Sequence, residues 1–446
     1  MAQVRLEPKG AFHIESVLGS SKAEACVKRQ TVLFSLALTI GAACAAVATR
    51  SWADAPSRPP PKAASALSQV LTQAVDRQDA PGVVGLVVDR KGVLFEGAAG
   101  KADVARNVAL APDAIFFIAS MTKPVTSVAI MMLIEQGKLS LDDPVSKYLP
   151  GFDNLQVITK FNEADGTYET RPARRTMTLC HLLTHTSGIG YAFSSPILAR
   201  LSKDNHKDEW EFPLLHEPGQ HWTYGASTRV LGLIVEKVTG ESLEAYDQKH
   251  ILGPLGMVDT SYAVPKDKQS RVVKVYRHID GAFQEQTFPV VPDKPTPPFR
   301  GDGGLYSTAQ VYGRFMRMLL NGGRLGNVRI LSEKTLHLME ENQIGPVFVS
   351  LQPVGQPDST RPFPLGAGHD KFGLGFQIAS DGPDAAKYRR AGSLSWAGIF
   401  NTEFWVDPHS GIGGVLLMQY LPFYDESAIR TLRDFEAAVY QDLVLH

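Results

Sequence analysis

Ser120-Met-Thr-Lys123-Pro-Val-Thr-Ser-Val-Ala-Ile-Met-Met-Leu-Ile134 is the stretch with the strongest structural signal in the chain. The apolar run after Lys123 predicts a helix that ends near Gly137. Residues three apart share one face of a helix, with Cβ atoms about 5–6 Å apart, so Lys123 can reach the Ser120 hydroxyl. The positive end of the helix dipole would favour negative charge on Ser120 and deprotonation of Lys123. The spacing therefore predicts a nucleophile with its own base, although a serine at a helix start is more often only an N-cap.

The composition fits an enzyme and excludes an electrostatic nucleic-acid binder. With 446 residues the chain can form two domains or one large interrupted domain. Charged residues make up 20% of the chain and nearly balance, with a formal net charge of -1, so we expect no nucleic-acid partner. The three cysteines, Cys26, Cys44 and Cys180, show neither metal-ligand spacing nor a disulfide framework.

Residues 1–55 are predicted to be an export signal or leader. Lys28 and Arg29 precede an apolar run over residues 31–48, and small-residue cleavage patterns end at Ala48 and Ala55. We therefore expect an exported protein, periplasmic or secreted. A membrane tether through an uncleaved leader is the alternative, because the charged stretch before the run is longer than usual. The proline-rich residues 56–62 are predicted to be a linker.

Strand-forming sequences at both ends of the chain flank a helical middle. An amphipathic helix after residue 63 precedes a predicted hairpin over residues 82–96. Further strands are predicted at 373–378, 402–406 and 413–418, before a final helix over 426–444, and helices are predicted between at 179–184, 227–238 and 308–320. This order predicts an α+β fold with an antiparallel sheet flanked by helices. Residues 63–138 and 360–446 would form that discontinuous domain, and residues 139–359 an inserted, mainly helical domain.

Tyr224 is a second candidate for proton transfer. It lies in a turn, His216 to Ser227, that runs into a predicted helix. A tyrosine beside a lysine can be stabilised as phenolate, because an opposite charge within about 4–6 Å favours ionisation. A single tyrosine is more often a packed aromatic with its hydroxyl at the surface, so the residue alone does not establish a base.

Trp396-Ala397-Gly398 is a third candidate element, next to a predicted strand. The small residues around Gly398 would let a substrate carbonyl approach the backbone closely, so that strand amides could form an oxyanion hole. A glycine-containing bend at a sheet edge is the alternative.

Together these three elements resemble the serine β-lactamase and penicillin-binding-protein-like superfamily, and most closely its family VIII carboxylesterases. The resemblance runs from about Ala63 to the end and implies the β-lactamase/transpeptidase-like fold. Other stretches match the superfamily in wording and order, namely Lys138–Val145, His181–Gly188, Glu217–Gly219, Gly232–Gly240 and Gly303–Thr308.

The resemblance also implies roles for individual residues. Ser120 would form an acyl-enzyme, Lys123 and Tyr224 would share the proton transfers, and the backbone amides of Ser120 and Ile399 would hold the oxyanion. This chemistry needs neither a metal nor an organic cofactor. The expected partner is a small-molecule ester or amide substrate.

Two departures from the penicillin-recognising pattern favour esters over β-lactams. Such members usually carry asparagine two residues after the tyrosine and a lysine or histidine at the start of the third motif; here these positions are Ala226 and Trp396. We expect Trp396, Ala397, Gly398 and Ala226 to border the substrate pocket. The same site could instead serve a β-lactamase or D-alanyl carboxypeptidase, or transfer the acyl group to an alcohol. A non-catalytic binding protein on the same fold is a more distant alternative.

The histidine pairs are weak candidates for metal ligands. His216 and His221 are five residues apart, and Pro218 between them interrupts any helix that would align them. His181 and His185 are four apart but have no acidic residue placed nearby to complete a site, so we interpret them as structural polar residues.

Overall fold

The structure is a computed structural model and describes residues 61–203, 207–381 and 387–444, without the side chains of 61–63. The predicted leader, residues 1–55, lies outside the described residues, as does most of the predicted linker. The helices are α1 (Pro61–Asp76), α2 (Thr122–Glu135), α3 (Leu179–Leu183), α4 (Pro196–Ser202), α5 (Ser227–Thr239), α6 (Leu243–Asp247), α7 (Ala309–Leu320), α8 (Glu333–Glu340) and α9 (Glu426–Val439). The strands in the first part of the chain are β1 (Gly82–Asp89), β2 (Val93–Asp103), β3 (Val108–Ala109), β4 (Phe116–Phe117), β5 (Gln156–Phe161), β6 (Tyr168–Pro172), β7 (Tyr276–Ile279), β8 (Ala282–Glu285) and β9 (Tyr306–Ser307). Those that follow are β10 (Arg324–Leu325), β11 (Val328–Arg329), β12 (Lys371–Phe372), β13 (Gln377–Ile378), β14 (Leu394–Gly398), β15 (Thr402–Asp407), β16 (Ile412–Leu417) and β17 (Tyr420–Leu421).

An antiparallel sheet assembled from both ends of the chain organises the described residues. Its eight strands run in the order β12-β13-β14-β15-β16-β1-β2-β3. The C-terminal strand β16 pairs with the N-terminal strand β1, and Leu86 lies opposite Val415 in that register. The predicted α+β fold with an antiparallel sheet flanked by helices is therefore confirmed.

Both faces of the central strands are buried, because helices cover each side. Successive side chains of a strand point to opposite faces, and β1 follows this rule. Val84, Leu86 and Val88 join the core that α2, α5 and α7 also build. Val83 and Val87 join a second core with residues of α1 and α9. The site described below lies on the first of these two sides, where α2 begins.

The middle of the chain contributes helices α3 to α8 and also several short strands. The hairpins β5–β6, β7–β8 and β10–β11 lie between residues 139 and 359. The predicted helices of this region begin and end close to where we expected; α5, for example, ends before Gly240, whose φ of 72° terminates it. The boundaries of an inserted domain at 139 and 359 stay a prediction.

The sheet differs from the expectation in two places. Of the strand predicted over 373–378, only Gln377–Ile378 forms a strand, β13, because residues 373–376 leave the ladder; β12 precedes the predicted range. Trp396-Ala397-Gly398 belongs to β14 and pairs with β15, so the alternative of a bend is wrong. β13 pairs only with Leu394 and Ser395, so on the other side these three residues have no strand partner in that register. None of the helices in the described ranges has the length and apolar character needed to cross a membrane.

Candidate active site

Ser120 lies in a turn of 3₁₀ helix, Ala119–Met121, that leads directly into α2. Ala119 has a φ of 44°, a left-handed conformation that costs a non-glycine residue on the order of 1 kcal/mol or more. The strained residue precedes the predicted nucleophile, and the two residues after Ser120 continue into the helix. This arrangement exposes the Ser120 side chain to a cavity while Lys123 stays in the first turn of α2.

Lys123 is buried beneath Ser120 and touches its hydroxyl. The Lys123 Nζ lies 3.0 Å from the Ser120 Oγ, and only 2% of the residue is exposed. Burial lowers the pKa of Lys123 to about 7, because the ammonium form loses its hydration, although the charge of Asp302 opposes this shift. A large fraction of Lys123 is therefore neutral at physiological pH and can accept a proton from Ser120.

A network that the sequence analysis missed holds Lys123 in place. Its Nζ donates to the Tyr191 hydroxyl at 3.1 Å and to the backbone carbonyl of Asp302 at 2.7 Å. The Tyr191 hydroxyl in turn donates to the Asp302 carboxylate. Arg300 donates to both oxygens of that carboxylate, at 3.2 and 3.1 Å. Burial alone would raise the pKa of Asp302, but the charges of Arg300 and Lys123 outweigh it, so Asp302 is an anion.

Tyr224 completes the arrangement on the other side of Lys123. The Lys123 Nζ lies 4.7 Å from the centre of the Tyr224 ring. The backbone N–H of Tyr224 donates to Gln352 Oε1 at 3.0 Å. The next residue is glycine because a Cβ at Gly225 would collide with the carbonyl of Ile189. The structure thus brings Ser120, Lys123 and Tyr224 together, as the motifs predicted.

The protonation of Tyr224 differs from the sequence-based expectation. Burial raises the pKa of Tyr224 well above its usual value, and hydrogen bonding to Ser120 lowers it by less. The resting phenol is therefore protonated at neutral pH, and the predicted phenolate is not the resting form. Lys123, whose pKa is lowered, is the better base of the two.

The predicted oxyanion amides come from two elements that meet at Gly398. Ile399 follows β14 in a turn, and within the described residues its N–H makes no loop or turn hydrogen bond. A Cβ at Gly398 would collide with the Ile118 carbonyl and the Thr402 hydroxyl, so only glycine lets β14 approach the turn that carries Ser120. Ser120 and Ile399 line the same cavity, and the role of their amides as an oxyanion hole stays a prediction.

A cavity of about 520 Å³ opens beside Ser120. Aromatic rings that pack edge-on or tilted against Tyr224 form one wall; they are Phe193, Phe363 and Trp396. Of the residues predicted to border the pocket, Trp396 and Ala397 line this cavity. Ala226 and Gly398 are not part of its lining, because Ala226 is fully buried at the start of α5 and Gly398 faces Ile118.

Two of the histidines, His185 and His216, are buried close to Tyr224 or in the turn that leads to it. His185 is buried among Trp222, Tyr224 and Trp396. Burial holds its pKa well below the usual value, so an uncharged imidazole packs against Tyr224. His216 bonds to the Glu217 carbonyl and the Thr223 hydroxyl, both at 2.9 Å. Across the described ranges, no group of histidine, cysteine or acidic side chains is arranged to hold a metal ion.

This geometry agrees with a match to a known family. The Beta-lactamase family model matches residues 67–439. The chain belongs to this family. The match includes the three motifs that carry the resemblance and nearly all of the described structure.

Three relatives are similar over most of the chain, and two of them have names that state an activity. An uncharacterized protein of Mycobacterium tuberculosis is 35% identical over 76% of this chain and 86% of its own length. Monacolin J acid methylbutanoyltransferase of Aspergillus terreus is 29% identical, over 84% of this chain and 95% of the relative. Esterase EstB of Burkholderia gladioli is 27% identical over 79% of this chain and 90% of its own length.

A solved structure combines both of these activities in its description. EstCE1, described as a hydrolase with promiscuous acyltransferase activity, superposes with a TM-score of 0.67 at 25% identity, covering 85% of this chain and 98% of that one. Family and fold therefore identify this chain as a member of a group of serine hydrolases and acyltransferases.

Proposed function

We propose that this protein is a serine carboxylesterase that cleaves small or medium carboxylic esters through an acyl-enzyme on Ser120. The observation that carries the proposal is the buried Lys123 Nζ at 3.0 Å from the Ser120 Oγ, with a pKa of about 7. A neutral amine at hydrogen-bond distance is a competent general base for a serine.

The reaction follows from these positions. Lys123 Nζ takes the Ser120 proton as Oγ bonds to the carbonyl carbon, and the amides of Ser120 and Ile399 hold the oxyanion. The bond to the leaving alcohol then breaks, and the alcohol oxygen receives a proton from the Tyr224 hydroxyl, which regains one from Lys123. Water attacks the acyl-enzyme by the same proton transfers in reverse, releasing the carboxylic acid and restoring Ser120.

The cavity supports esters rather than β-lactams as substrates. A penicillin or cephalosporin carries a carboxylate that needs a cation, and Trp396 stands at the position where relatives that recognise these drugs carry one. Two arginines also line the cavity. The Arg389 guanidinium already binds both oxygens of Glu436, at 2.8 and 2.9 Å, and Arg433 is a solvent-exposed residue of α9. The aromatic wall around Tyr224 suits an apolar acyl or alkoxy group instead.

Covalent labelling tests the nucleophile, and a pair of substrates tests the specificity. A fluorophosphonate probe should add its mass to the wild-type protein and not to Ser120→Ala. p-Nitrophenyl butyrate should then be turned over faster than a chromogenic cephalosporin. An adduct that persists in Ser120→Ala refutes the assignment of the nucleophile, and faster cephalosporin turnover refutes the ester preference.

Acyl transfer to an alcohol is a second candidate function, because one relative is named a methylbutanoyltransferase and EstCE1 is described as having promiscuous acyltransferase activity. Adding an alcohol during hydrolysis of p-nitrophenyl butyrate measures how the acyl group partitions. A transferase gives mainly the new ester, with p-nitrophenol release accelerated by the alcohol, whereas a hydrolase gives mainly butyrate.

Export through the leader is also a proposal, supported by the basic residues and apolar run over residues 28–48. N-terminal sequencing of the protein purified from its native host should begin at Thr49 or Pro56. An intact first residue in a cytoplasmic fraction would refute export.

A further inference from the structure

The cavity that begins at Ser120 has a polar side as well as an aromatic one. Six Asp, Glu and Arg side chains line it. Asp381 and Arg433 are exposed, whereas Asp370, Arg389, Glu403 and Glu436 are buried or partly buried. The charges of Arg389 and Glu436 act on Glu403, and that of Arg389 also acts on Asp370, so the four form one cluster. A plain hydrocarbon chain has no polar group that could interact with such a cluster.

Three of these side chains are already satisfied. Arg389 and Glu436 form a two-pronged ion pair, and the Arg389 backbone N–H adds a third hydrogen bond to Glu436 at 2.7 Å. The Asp370 carboxylate accepts from Gln377 Nε2 at 2.7 Å and from the Ser380 backbone at 2.9 Å. These groups therefore have little remaining capacity to bind a ligand.

Glu403 differs from its neighbours because it lacks a partner. It is 7% exposed, and its Oε1 is buried with no hydrogen-bond partner in the described ranges 61–203, 207–381 and 387–444. Leaving a buried polar atom unpaired costs about 1–3 kcal/mol, so native proteins rarely keep one without a use. A side chain that borders the substrate cavity can recover this cost when a ligand supplies the missing bond.

The register of the sheet fixes the position of Glu403 relative to the oxyanion amide. Glu403 lies on β15 directly opposite Ala397 of β14, and Ile399 follows two residues after Ala397. Two residues of strand span about 7 Å. Glu403 lies one strand further across, about 5 Å away, so its Cα is about 9 Å from that of Ile399. An extended chain of about six bonds, with a hydrogen bond of about 2.8 Å at its end, covers this distance, so an acyl chain whose carbonyl is held at Ile399 can reach Glu403.

The protonation state of Glu403 indicates the kind of group it binds. Burial raises its pKa to about 8, more than the charge of Arg389 lowers it. At pH 7 the side chain is mainly a neutral carboxylic acid, which offers one donor and one acceptor. An alcohol hydroxyl has the same pair of capacities, whereas a second carboxylate would be repelled once Glu403 ionises.

Resting on the proposed esterase function, we propose that Glu403 is a specificity-determining residue that binds a hydroxyl group on the acyl chain. The substrate class is then hydroxylated carboxylic esters, with the hydroxyl about six bonds from the carbonyl carbon. Removing the carboxyl group of Glu403 removes the preference for the hydroxyl and leaves an apolar chain the better substrate.

Matched esters measure this preference directly. p-Nitrophenyl hexanoate and p-nitrophenyl 6-hydroxyhexanoate differ only in the terminal hydroxyl, and 6-aminohexanoate replaces it with a cation. kcat/KM is compared for wild type, Glu403→Gln and Glu403→Leu, with Ser120→Ala as the background and thermal unfolding as the check on folding. Glu403→Gln keeps a donor and an acceptor at the site, whereas Glu403→Leu keeps only the volume.

We expect wild type to prefer the hydroxy ester by about three- to tenfold, the effect of one net hydrogen bond. Glu403→Leu should reverse the preference, and Glu403→Gln should retain part of it. Equal ratios in wild type and Glu403→Leu, or a preference for the amino ester, overturn the inference while hydrolysis of the hexanoate leaves the esterase proposal standing. Hexanoate turnover no faster than in Ser120→Ala overturns the proposed function, and this inference with it.

Discussion

Replacing Asp302 by asparagine should allow the enzyme to work at lower pH. The Tyr191 hydroxyl bridges the two groups, since it accepts from Lys123 Nζ at 3.1 Å and donates to the Asp302 carboxylate. The anion stabilises the ammonium form of Lys123 and so raises its pKa, while Arg300 lowers it. Asparagine keeps an oxygen for Tyr191 and keeps the backbone carbonyl that binds Lys123, but it removes the charge.

The size of the effect follows from the geometry. One bridging hydroxyl places the two charges within about 6 Å, and at an effective dielectric constant of about 20 their attraction is about 3 kcal/mol. This corresponds to about two pH units in the pKa of Lys123. In the variant Arg300 also loses its partner, so its positive charge acts on Lys123 in the same direction. The pKa of Lys123 should therefore fall from about 7 to about 5.

The assay is kcat/KM for p-nitrophenyl butyrate between pH 4.5 and 9. Activity requires neutral Lys123, so it should rise through pH 7 in wild type and through about pH 5 in Asp302→Asn. Asp79→Asn is the matched control, because Asp79 is also fully buried and paired with an arginine, Arg430, but is not among the groups that shift the pKa of Lys123. An acidic limb that stays at pH 7 in Asp302→Asn, or moves upward, would refute Lys123 as the base.

Three further substitutions test other parts of the arrangement. Tyr224→Phe keeps the packed ring but removes the hydroxyl that protonates the leaving group, so kcat should fall by about 100- to 10,000-fold with unchanged thermal stability; near-normal kcat would exclude that role. Gly398→Ala introduces a Cβ that collides with the Ile118 carbonyl and should displace the Ile399 amide, so kcat should drop by about 100-fold or more. A higher KM with unchanged kcat would contradict an oxyanion role. Phe435→Ala opens the core between α9 and the sheet and should cost about 3–5 kcal/mol in chemical denaturation; a loss below 1 kcal/mol would show that the second core closes around the gap.

The local parts of the site could be predicted from the sequence because short spacings fix them. Ser120 and Lys123 are three residues apart at the start of a helix, and the structure joins their side chains at 3.0 Å. The strands β1 and β16 could be predicted as strands, since runs of valine, isoleucine and leucine between turn residues have few alternatives. The order of elements along the chain predicted that both ends share one antiparallel sheet, but the pairing of β1 with β16 came from the structure.

The network beneath Lys123 could not be predicted, because it depends on long-range contacts. Tyr191 is 68 residues from Lys123 and Asp302 is 179 residues away, and no periodicity links them. Glu403 was missed for a different reason. All residues of β15 are buried, so its alternation does not show which side chains face the cavity and which face the core. Gly398 was open to two interpretations until the contact with Ile118 showed why a glycine is needed inside the sheet.

Burial favours Lys123 over Tyr224 as the base in the proposed reaction. Lys123 and Tyr224 share the same dry, aromatic surroundings, and losing water disfavours the charged form of each, which lowers the pKa of the amine and raises that of the phenol. A sequence suggests an ammonium–phenolate pair because opposite charges attract. In a buried site that pair would have to offset the desolvation of two ions. The neutral amine and the neutral phenol avoid this cost. The amine is the proton acceptor and the phenol is the proton donor that the proposed ester cleavage needs. In the proposed reaction, the negative charge that develops on the substrate would meet the amides of Ser120 and Ile399 and no phenolate that would repel it.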